Sequence, residues 1–389
     1  MIHRNLALLR FTLFAAAASI ASVSVAAKPA PDAPPPASTQ TGVIAFRDDC
    51  TGLLYAMRAN GSGRIALPLP ALPLPGDRYR QPMVLDVTTR GPLTVLYYVG
   101  IDRVQFIDGL NQRVLVDHGL FAVQVNDLGG VLTPDPPVRL SLPQIAGVDP
   151  NAARQGSFSP AGLVDRLALV ANSTTASVLM TARVERDVTS KITSLSDLVA
   201  VGDLYSIGLQ DPGFPASNGF TGYIDYSPEG DGIVASIYFD LWRVHLAPDN
   251  TFLSAEWLTQ NTDGMAEWNP SFSPNGDRIA YTAGRITSIG GAQDPDIYSL
   301  DPASHAATRV THRKNKGKAA GARNNAMWSS DSAWIGFSAY TGQSPRQSPC
   351  GSVVVNSEIF LIKANGSTTA TQITNTNGTS GEAWPSWGW

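Results

Sequence analysis

The chain has 389 residues, of which 15% are charged and 43% hydrophobic, and its formal net charge is −4. This composition excludes a coiled coil, a collagen-like rod and a highly charged disordered protein. The mildly acidic balance argues against a dedicated nucleic-acid binder, which normally presents a basic surface.

The first 27 residues have the pattern of a secretory signal peptide. Arg4 and Arg10 are followed by an apolar run over 11–25, and two alanines end the segment. A basic start, a short apolar stretch and a small-residue exit are typical of signal peptides, and about 15 apolar residues are short for a membrane span. We therefore expect cleavage after 27, a periplasmic or secreted protein, and no stable membrane insertion afterwards.

Residues 28–41 predict a linker. The segment holds five prolines separated by Ala, Ser and Thr residues, together with an Asp. Such a composition buries little surface and favours an extended spacer. The folded domain is accordingly predicted to comprise 42–389.

The domain contains internal repeats. Each repeat has an aromatic residue followed by Ser or Gly, and in four of the five cases a turn and a strand-like apolar run come next. A second shared unit leads into Asn60-Gly61 and Asn365-Gly366, and Asn-Gly is a strong hairpin signal because both residues of the turn need a positive φ. Each repeat thus predicts four short antiparallel strands, which form one propeller blade. The repeat aromatics are Phe158, Tyr226, Phe272, Trp328 and Trp387.

One repeat resembles a known family. Residues 268–281 read Trp-Asn-Pro-Ser-Phe-Ser-Pro-Asn-Gly-Asp-Arg-Ile-Ala-Tyr, which is similar to the repeats of the TolB-type β-propeller. The resemblance is strong over 220–389 and weaker over 43–200. It implies a propeller fold. TolB itself has an N-terminal α/β domain before its propeller, whereas here a proline-rich segment precedes the first strand.

The repeats predict an all-β, six-bladed propeller, with seven blades as the alternative because 119–150 fits no blade. The last strand is expected to pair beside the first, so that one blade joins both ends of the chain. The predicted blades are 43–68 with 382–389, then 80–118, 153–200, 220–260, 266–312 and 322–375.

The two cysteines lie near opposite ends of the domain. Cys50 and Cys350 follow the second strands of the first and sixth predicted blades, which are neighbours in a closed ring. An oxidising compartment favours pairing of such thiols. We expect a disulfide that closes a loop of about 300 residues, which the chain-entropy model values at roughly 5–6 kcal/mol as an upper figure.

Motifs typical of catalysis are absent from the sequence. It has no Gly-x-Ser-x-Gly, no Gly-x-x-x-x-Gly-Lys and no His-Glu-x-x-His. The histidines after the signal segment lie on different predicted blades or loops, without metal-ligand spacing. These observations favour a non-enzymatic protein.

The mouth of the central channel is the candidate binding site. Residues five positions before each repeat aromatic are equivalent, and they place an arginine between two glutamates around the ring. The arrangement predicts either a self-satisfied charge ring or a polar mouth that binds a ligand, with calcium as a minor alternative to no cofactor. The candidate residues are Glu267, Arg323, Glu382, Arg154, Asn324 and Asn325.

A basic segment joins the fifth and sixth predicted blades. It contains Arg313, Lys314, Lys316 and Lys318 on an otherwise acidic protein. It is either a solvated loop or a docking site for an anionic partner.

Taken together, the sequence predicts an exported, non-enzymatic and monomeric propeller scaffold that binds a protein or glycan in the cell envelope and no nucleic acid. The alternative is a hydrolase or lyase that acts on a sugar or lactone at the central channel, with or without a divalent ion.

Overall fold

The computed structural model of the protein describes most of the predicted domain. Outside it lie the predicted signal peptide and linker, Cys50, Cys350, Arg154 and the basic segment with Arg313, Lys314, Lys316 and Lys318. The described residues are 42–48, 52–70, 78–90, 94–107, 112–128, 130–145, 147–150, 153, 155–159, 165–172, 176–189, 191–208, 222–259, 264–286, 292–312, 323–341, 357–375 and 382–387.

These residues form six antiparallel sheets, the blades of a propeller. Blade 1 contains β25 (Glu382–Trp387), β1 (Val43–Asp48), β2 (Leu54–Arg58) and β3 (Ile65–Ala66). Blade 2 contains β4 (Arg78–Arg90), β5 (Thr94–Ile107), β6 (Gln112–Leu128), β7 (Val131–Pro134) and β8 (Val138–Leu140). Blade 3 contains β9 (Gln155–Phe158), β10 (Arg166–Asn172), β11 (Ser177–Arg186) and β12 (Ile192–Asp203).

The remaining three blades have four strands each in simple sequence order. Blade 4 contains β13 (Ile224–Tyr226), β14 (Gly232–Ile237), β15 (Asp240–Leu246) and β16 (Phe252–Trp257). Blade 5 contains β17 (Met265–Phe272), β18 (Ile279–Ile286), β19 (Ala292–Leu300) and β20 (Ala307–Arg309). Blade 6 contains β21 (Arg323–Trp328), β22 (Trp334–Tyr340), β23 (Ser357–Lys363) and β24 (Thr371–Gln372).

The two ends of the domain meet in blade 1, which confirms the predicted shared blade. Strand β25 pairs antiparallel with β1, and Ile44 lies opposite Trp387. Opening the ring at this blade would break contacts from both ends of the chain.

The hydrophobic core lies between the blades. The buried side chains of the described residues form six clusters, and each cluster joins one pair of neighbouring blades. The cluster between blades 6 and 1, for example, contains Leu361 together with Ile44 and Trp387. Burying both faces of every sheet in this way is what closure into a ring achieves.

Blade 2 differs from its prediction. Its sheet continues to Leu140, so most of 119–150 belongs to this blade and the described residues form six blades. The predicted end at 118 is wrong because β6 runs without interruption from Gln112 to Leu128. Strands usually have about 5–6 residues, and β5 and β6 exceed that length more than twofold.

The repeat serine fixes the turn between the first two strands of a blade. In blade 5 the Ser273 N–H donates to the Arg278 carbonyl at 2.8 Å, and the Arg278 N–H donates to the Ser273 hydroxyl at 3.0 Å. Ser329 makes the same pair of bonds with Trp334 in blade 6. The hydroxyl also donates to the same carbonyl, at 3.0 Å in blade 5 and 3.3 Å in blade 6. The turn therefore uses a short side chain that both donates and accepts, which explains the repeated serine.

In the part of the chain that the structure describes, one short helix, α1 (Leu204–Gly208), follows blade 3. Among the described residues, no helix has the length and apolar character required to cross a bilayer.

Candidate functional site

The first strands of the blades surround the central channel. Strands β25, β4, β9, β13, β17 and β21 each contact the next, and β21 contacts β25 again. The position just before the repeat aromatic is equivalent in every blade by strand register. Serine and aspartate alternate there over five blades, and we call this set the axial ring. Its members, from blade 1 to blade 6, are Ser386, Asp86, Ser157, Asp225, Ser271 and Met327.

Asp86 of the axial ring ties three blades together. The Ser386 hydroxyl of blade 1 donates to Asp86 Oδ1 at 3.0 Å, and the Phe158 N–H of blade 3 donates to Asp86 Oδ2 at 2.7 Å. Hydrogen bonds to an ionised group are shorter and stronger than neutral ones, so these contacts suit a structural clasp.

Asp225 repeats this arrangement two blades further on. The Ser157 hydroxyl of blade 3 donates to Asp225 Oδ1 at 2.7 Å, and the Phe272 N–H of blade 5 donates to Asp225 Oδ2 at 2.7 Å. Blades 1 to 5 are thereby linked in series around the channel.

The two axial carboxyl groups hold protons more strongly than ordinary aspartates. Burial within the ring raises the pKa of Asp86, against the opposing effect of the Phe158 and Val87 N–H groups. Burial also raises the pKa of Asp225, and the negative charge of Asp86 adds to that rise. The pair can therefore exchange a proton closer to neutral pH than the ordinary value of about 4.

Arg323 lies at the interface between blades 5 and 6. Its side chain is buried, and Nη1 forms an ion pair with Asp296 Oδ1 on β19 of blade 5. Asp296 also pairs with Arg309, and the Thr311 hydroxyl donates to Asp296 Oδ1 at 2.8 Å. Burial lowers the pKa of Arg323, and Asp296 opposes that effect. The described contacts of Arg323 thus hold two blades together.

Glu267 occupies the equivalent position in blade 5 and faces blade 4. The Thr259 hydroxyl of blade 4 donates to Glu267 Oε2. The Ser236 hydroxyl donates to the Glu267 carbonyl at 2.7 Å, and the Glu267 N–H donates to the Phe239 carbonyl at 2.8 Å. The carboxylate is therefore held at this interface by blade 4.

Glu267 borders a cavity between blades 4 and 5, which we call the blade 4–5 groove. Its volume is 380 Å³, within the range of small-ligand sites. Its walls include side chains from all four strands or turns of blade 5, so it extends from the first strand towards the rim. The lining residues are Leu258, Thr259, Met265, Glu267, Tyr281, Ala283, Tyr298, His305 and Ala307.

The rim of the groove carries an inter-blade histidine contact. His305 Nε2 of blade 5 lies 3.1 Å from Glu256 Oε1 of blade 4, and His245 Nε2 lies 3.5 Å from the other oxygen of Glu256. Deeper in the groove, the rings of Tyr281 and Tyr298 have their centroids 5.7 Å apart. The groove thus combines a carboxylate at its inner end, aromatic walls and a polar rim.

The other predicted site residues lie around the inner end of blades 1 and 6. Asn324 and Asn325 are half-buried on β21, and Asn325 has a φ of 57°. Glu382 begins β25 and pairs in register with Asp48. A binding role for any of these residues stays a prediction.

Within the described part of the chain, no three or more His, Cys, Asp and Glu residues are grouped so as to hold a metal ion. Calcium at the predicted site residues remains a sequence-based alternative.

The comparisons with known proteins give similar structures but no family. No family model and no curated protein matches the chain. A candidate TolB from Agrobacterium tumefaciens is 11% identical, with a TM-score of 0.45, over 90% of this chain and 99% of that one. An oligogalacturonate lyase in complex with manganese is 11% identical, with a TM-score of 0.41, over 86% and 85% of the two chains. An oligogalacturonate lyase from Vibrio parahaemolyticus is 10% identical, with a TM-score of 0.39, over 85% and 86%. Matches at this level carry nothing about activity.

Sequence reasoning missed the axial aspartates and the partner of Arg323. Counting five residues before the aromatic found Glu267 and Arg323, but the axial ring lies one residue before it. A weak signal for Asp296 does exist. An acid followed by Ile or Leu occurs in the third strand of three blades, at Asp240, Asp296 and Glu358.

Proposed function

We propose that this chain is an exported, non-enzymatic propeller that binds a protein or glycan partner in the cell envelope through the blade 4–5 groove. The observation that carries the proposal is the groove itself, a 380 Å³ cavity that combines a carboxylate with two tyrosines. Concave sites with apolar walls and a few polar groups are the usual form of a ligand site. The signal-like segment 1–27 supports export.

Site-specific crosslinking tests this proposal. A photoreactive benzoylphenylalanine at His305 on the groove rim should capture a partner from envelope extract. The same group at Val188, which is fully exposed on blade 3, serves as the control. Capture of one product from His305 and none from Val188 supports binding at the groove. Equal amounts of crosslinked product from both positions contradict the proposal. So does the absence of any product from His305, if a panel of added glycans also fails to bind the protein.

A second candidate function is hydrolysis or elimination on a sugar or lactone at the central channel. It is favoured by the axial pair Asp86 and Asp225, because a carboxyl with a raised pKa beside a second carboxylate can serve as a general acid. The test is a screen with lactones and uronides, comparing wild type with Asp225→Asn. Turnover that Asp225→Asn abolishes would favour this candidate, and no turnover by the wild type would contradict it.

A further inference from the structure

The interface between blades 5 and 6 shows how this fold holds a guanidinium group. The Ile297 N–H donates to Thr311 Oγ1 at 2.9 Å, and the Thr311 hydroxyl donates to Asp296. Arg323 enters this frame from the first strand of the next blade. Its Nη1 contacts both Asp296 and the Pro295 carbonyl, the latter at 3.5 Å.

The interface between blades 4 and 5 repeats the backbone part of this frame, but there the Thr259 hydroxyl donates to Glu267 instead of to the acid of the third strand. Asp240 precedes Leu241 as Asp296 precedes Ile297, and the Leu241 N–H donates to Thr259 Oγ1 at 2.9 Å. The first-strand residue that faces this frame is Glu267, where the next interface has Arg323. The acid and the threonine that accepts the backbone N–H are therefore both present, while the carboxylate of Glu267 lies at the repeat position that Arg323 occupies in the next interface.

The walls of the groove favour a cation. Its described lining residues include the carboxylate of Glu267 and no lysine or arginine. The half-buried ring of Tyr298 also lines the groove, and the face of an aromatic ring carries partial negative charge, which attracts cations within about 6 Å of the ring centroid. Glu256 adds a further carboxylate beside His305 at the rim.

We propose that the blade 4–5 groove binds the guanidinium group of an arginine-bearing peptide segment from a partner protein, beside the carboxylate of Glu267. This inference rests on the proposed binding function and narrows it to one ligand class. A planar guanidinium donates two parallel hydrogen bonds to a carboxylate, a geometry that an amine lacks. The lining residues also come from all four strands of blade 5, so the groove crosses several strand spacings and suits an extended segment better than one side chain.

The test uses a matched pair of short peptides. Calorimetric titration of the folded chain compares acetyl-Ala-Arg-Ala-amide with the same peptide containing citrulline, which has the shape of arginine without its charge. Glucosamine is the third probe, because an amino sugar would bring a cation from a glycan. The arginine peptide should bind at least about tenfold more tightly than the citrulline peptide, and added salt should weaken it.

Two substitutions locate the binding. Glu267→Gln keeps the shape of the side chain and removes its charge, so it should weaken binding of the arginine peptide at least about tenfold. Glu229→Gln removes a charge from an exposed turn of blade 4 outside the groove and should leave binding unchanged. Thermal unfolding of both variants shows whether they fold as the wild type does.

The outcomes separate this inference from the broader function. Equal binding of the citrulline peptide, unchanged binding by folded Glu267→Gln, or binding of glucosamine in place of the peptide would each overturn the guanidinium assignment. Crosslinking of a partner from His305 would still support the groove as a binding site in all three cases. Loss of both peptide binding and crosslinking would overturn the two proposals together.

Discussion

Two neighbouring interfaces of the propeller use one repeat position in opposite ways. Between blades 5 and 6, Arg323 fills the interface and pairs with a buried Asp296. Between blades 4 and 5, Glu267 accepts a hydrogen bond from Thr259 and borders an open groove of 380 Å³. The repeat supplies equivalent strand positions at both places, so the side chain at this position distinguishes an interface filled by an ion pair from one that borders a cavity.

Breaking the closed interface should have the largest effect. Asp296→Ala leaves Arg323 buried without its carboxylate, and removing one partner of a buried pair costs about 3–5 kcal/mol. Urea unfolding measures this loss. Arg309→Ala is the control, because Arg309 contacts the same carboxylate with a side chain that is 49% exposed, and it should cost less than about 1 kcal/mol. Equal losses in the two variants would contradict the distinction between buried and exposed partners.

At a third interface, between blades 6 and 1, a glycine allows the two backbones to approach closely. Gly61 has a φ of 82°, and a Cβ there would lie 2.4 Å from the Ile373 carbonyl oxygen of blade 6. Gly61→Ala should therefore cost about 2–4 kcal/mol, from left-handed strain and from overpacking. Gly230→Ala has a similar φ of 72° but nothing within 4 Å, so strain without a clash should cost about 1–2 kcal/mol. If denaturant unfolding gave the same loss of stability for both variants, the contact between Gly61 and Ile373 would not be as tight as the structure indicates.

The axial ring predicts how stability depends on pH. The folded-state pKa of Asp225 is raised above that of the unfolded chain, so the folded state keeps a proton that the unfolded state releases above about pH 4. Stability should therefore fall as pH rises from about 4 towards the raised pKa, since the unfolded state then binds fewer protons. Asp225→Asn should reduce this fall by about 1 kcal/mol or more.

Thermal melts across this pH range give the comparison. Asp249→Asn is the control, because Asp249 is an exposed turn carboxylate whose pKa is lowered by hydrogen bonds from Thr251. That substitution should not reduce the fall. A wild-type protein whose stability rises steadily with pH over this range, with Asp225→Asn behaving identically, would argue against the buried carboxyl pair.

The sequence predicted those parts of the fold that repeat. An aromatic residue followed by Ser located blades 3 to 6, and Trp387 located the strand that closes blade 1. The position of blade 2 was predicted, but its end was wrong. Val87 stands where the other blades have an aromatic residue, and the long strands of blade 2 carry no turn signal. Repetition in sequence therefore predicted topology well.

The candidate site could be predicted only in part. Counting along the repeat identified Glu267 and Arg323 as equivalent. Their partners lie on other blades, Thr259 after the fourth strand of blade 4 and Asp296 on the third strand of blade 5. The contacts across an interface depend on how the blades pack and on the strand register. The spacing of residues within one repeat predicts neither of these.

The coupling between positions 267 and 240 tests the central claim most directly. If one repeat position decides between an open and a closed interface, Glu267→Arg should enter the blade 4 frame and pair with Asp240. A double-mutant cycle of Glu267→Arg with Asp240→Asn, measured by urea unfolding, should then give a favourable coupling of about 1 kcal/mol or more. A coupling near zero, or an arginine variant destabilised to the extent expected of a buried cation without a partner, would contradict the account.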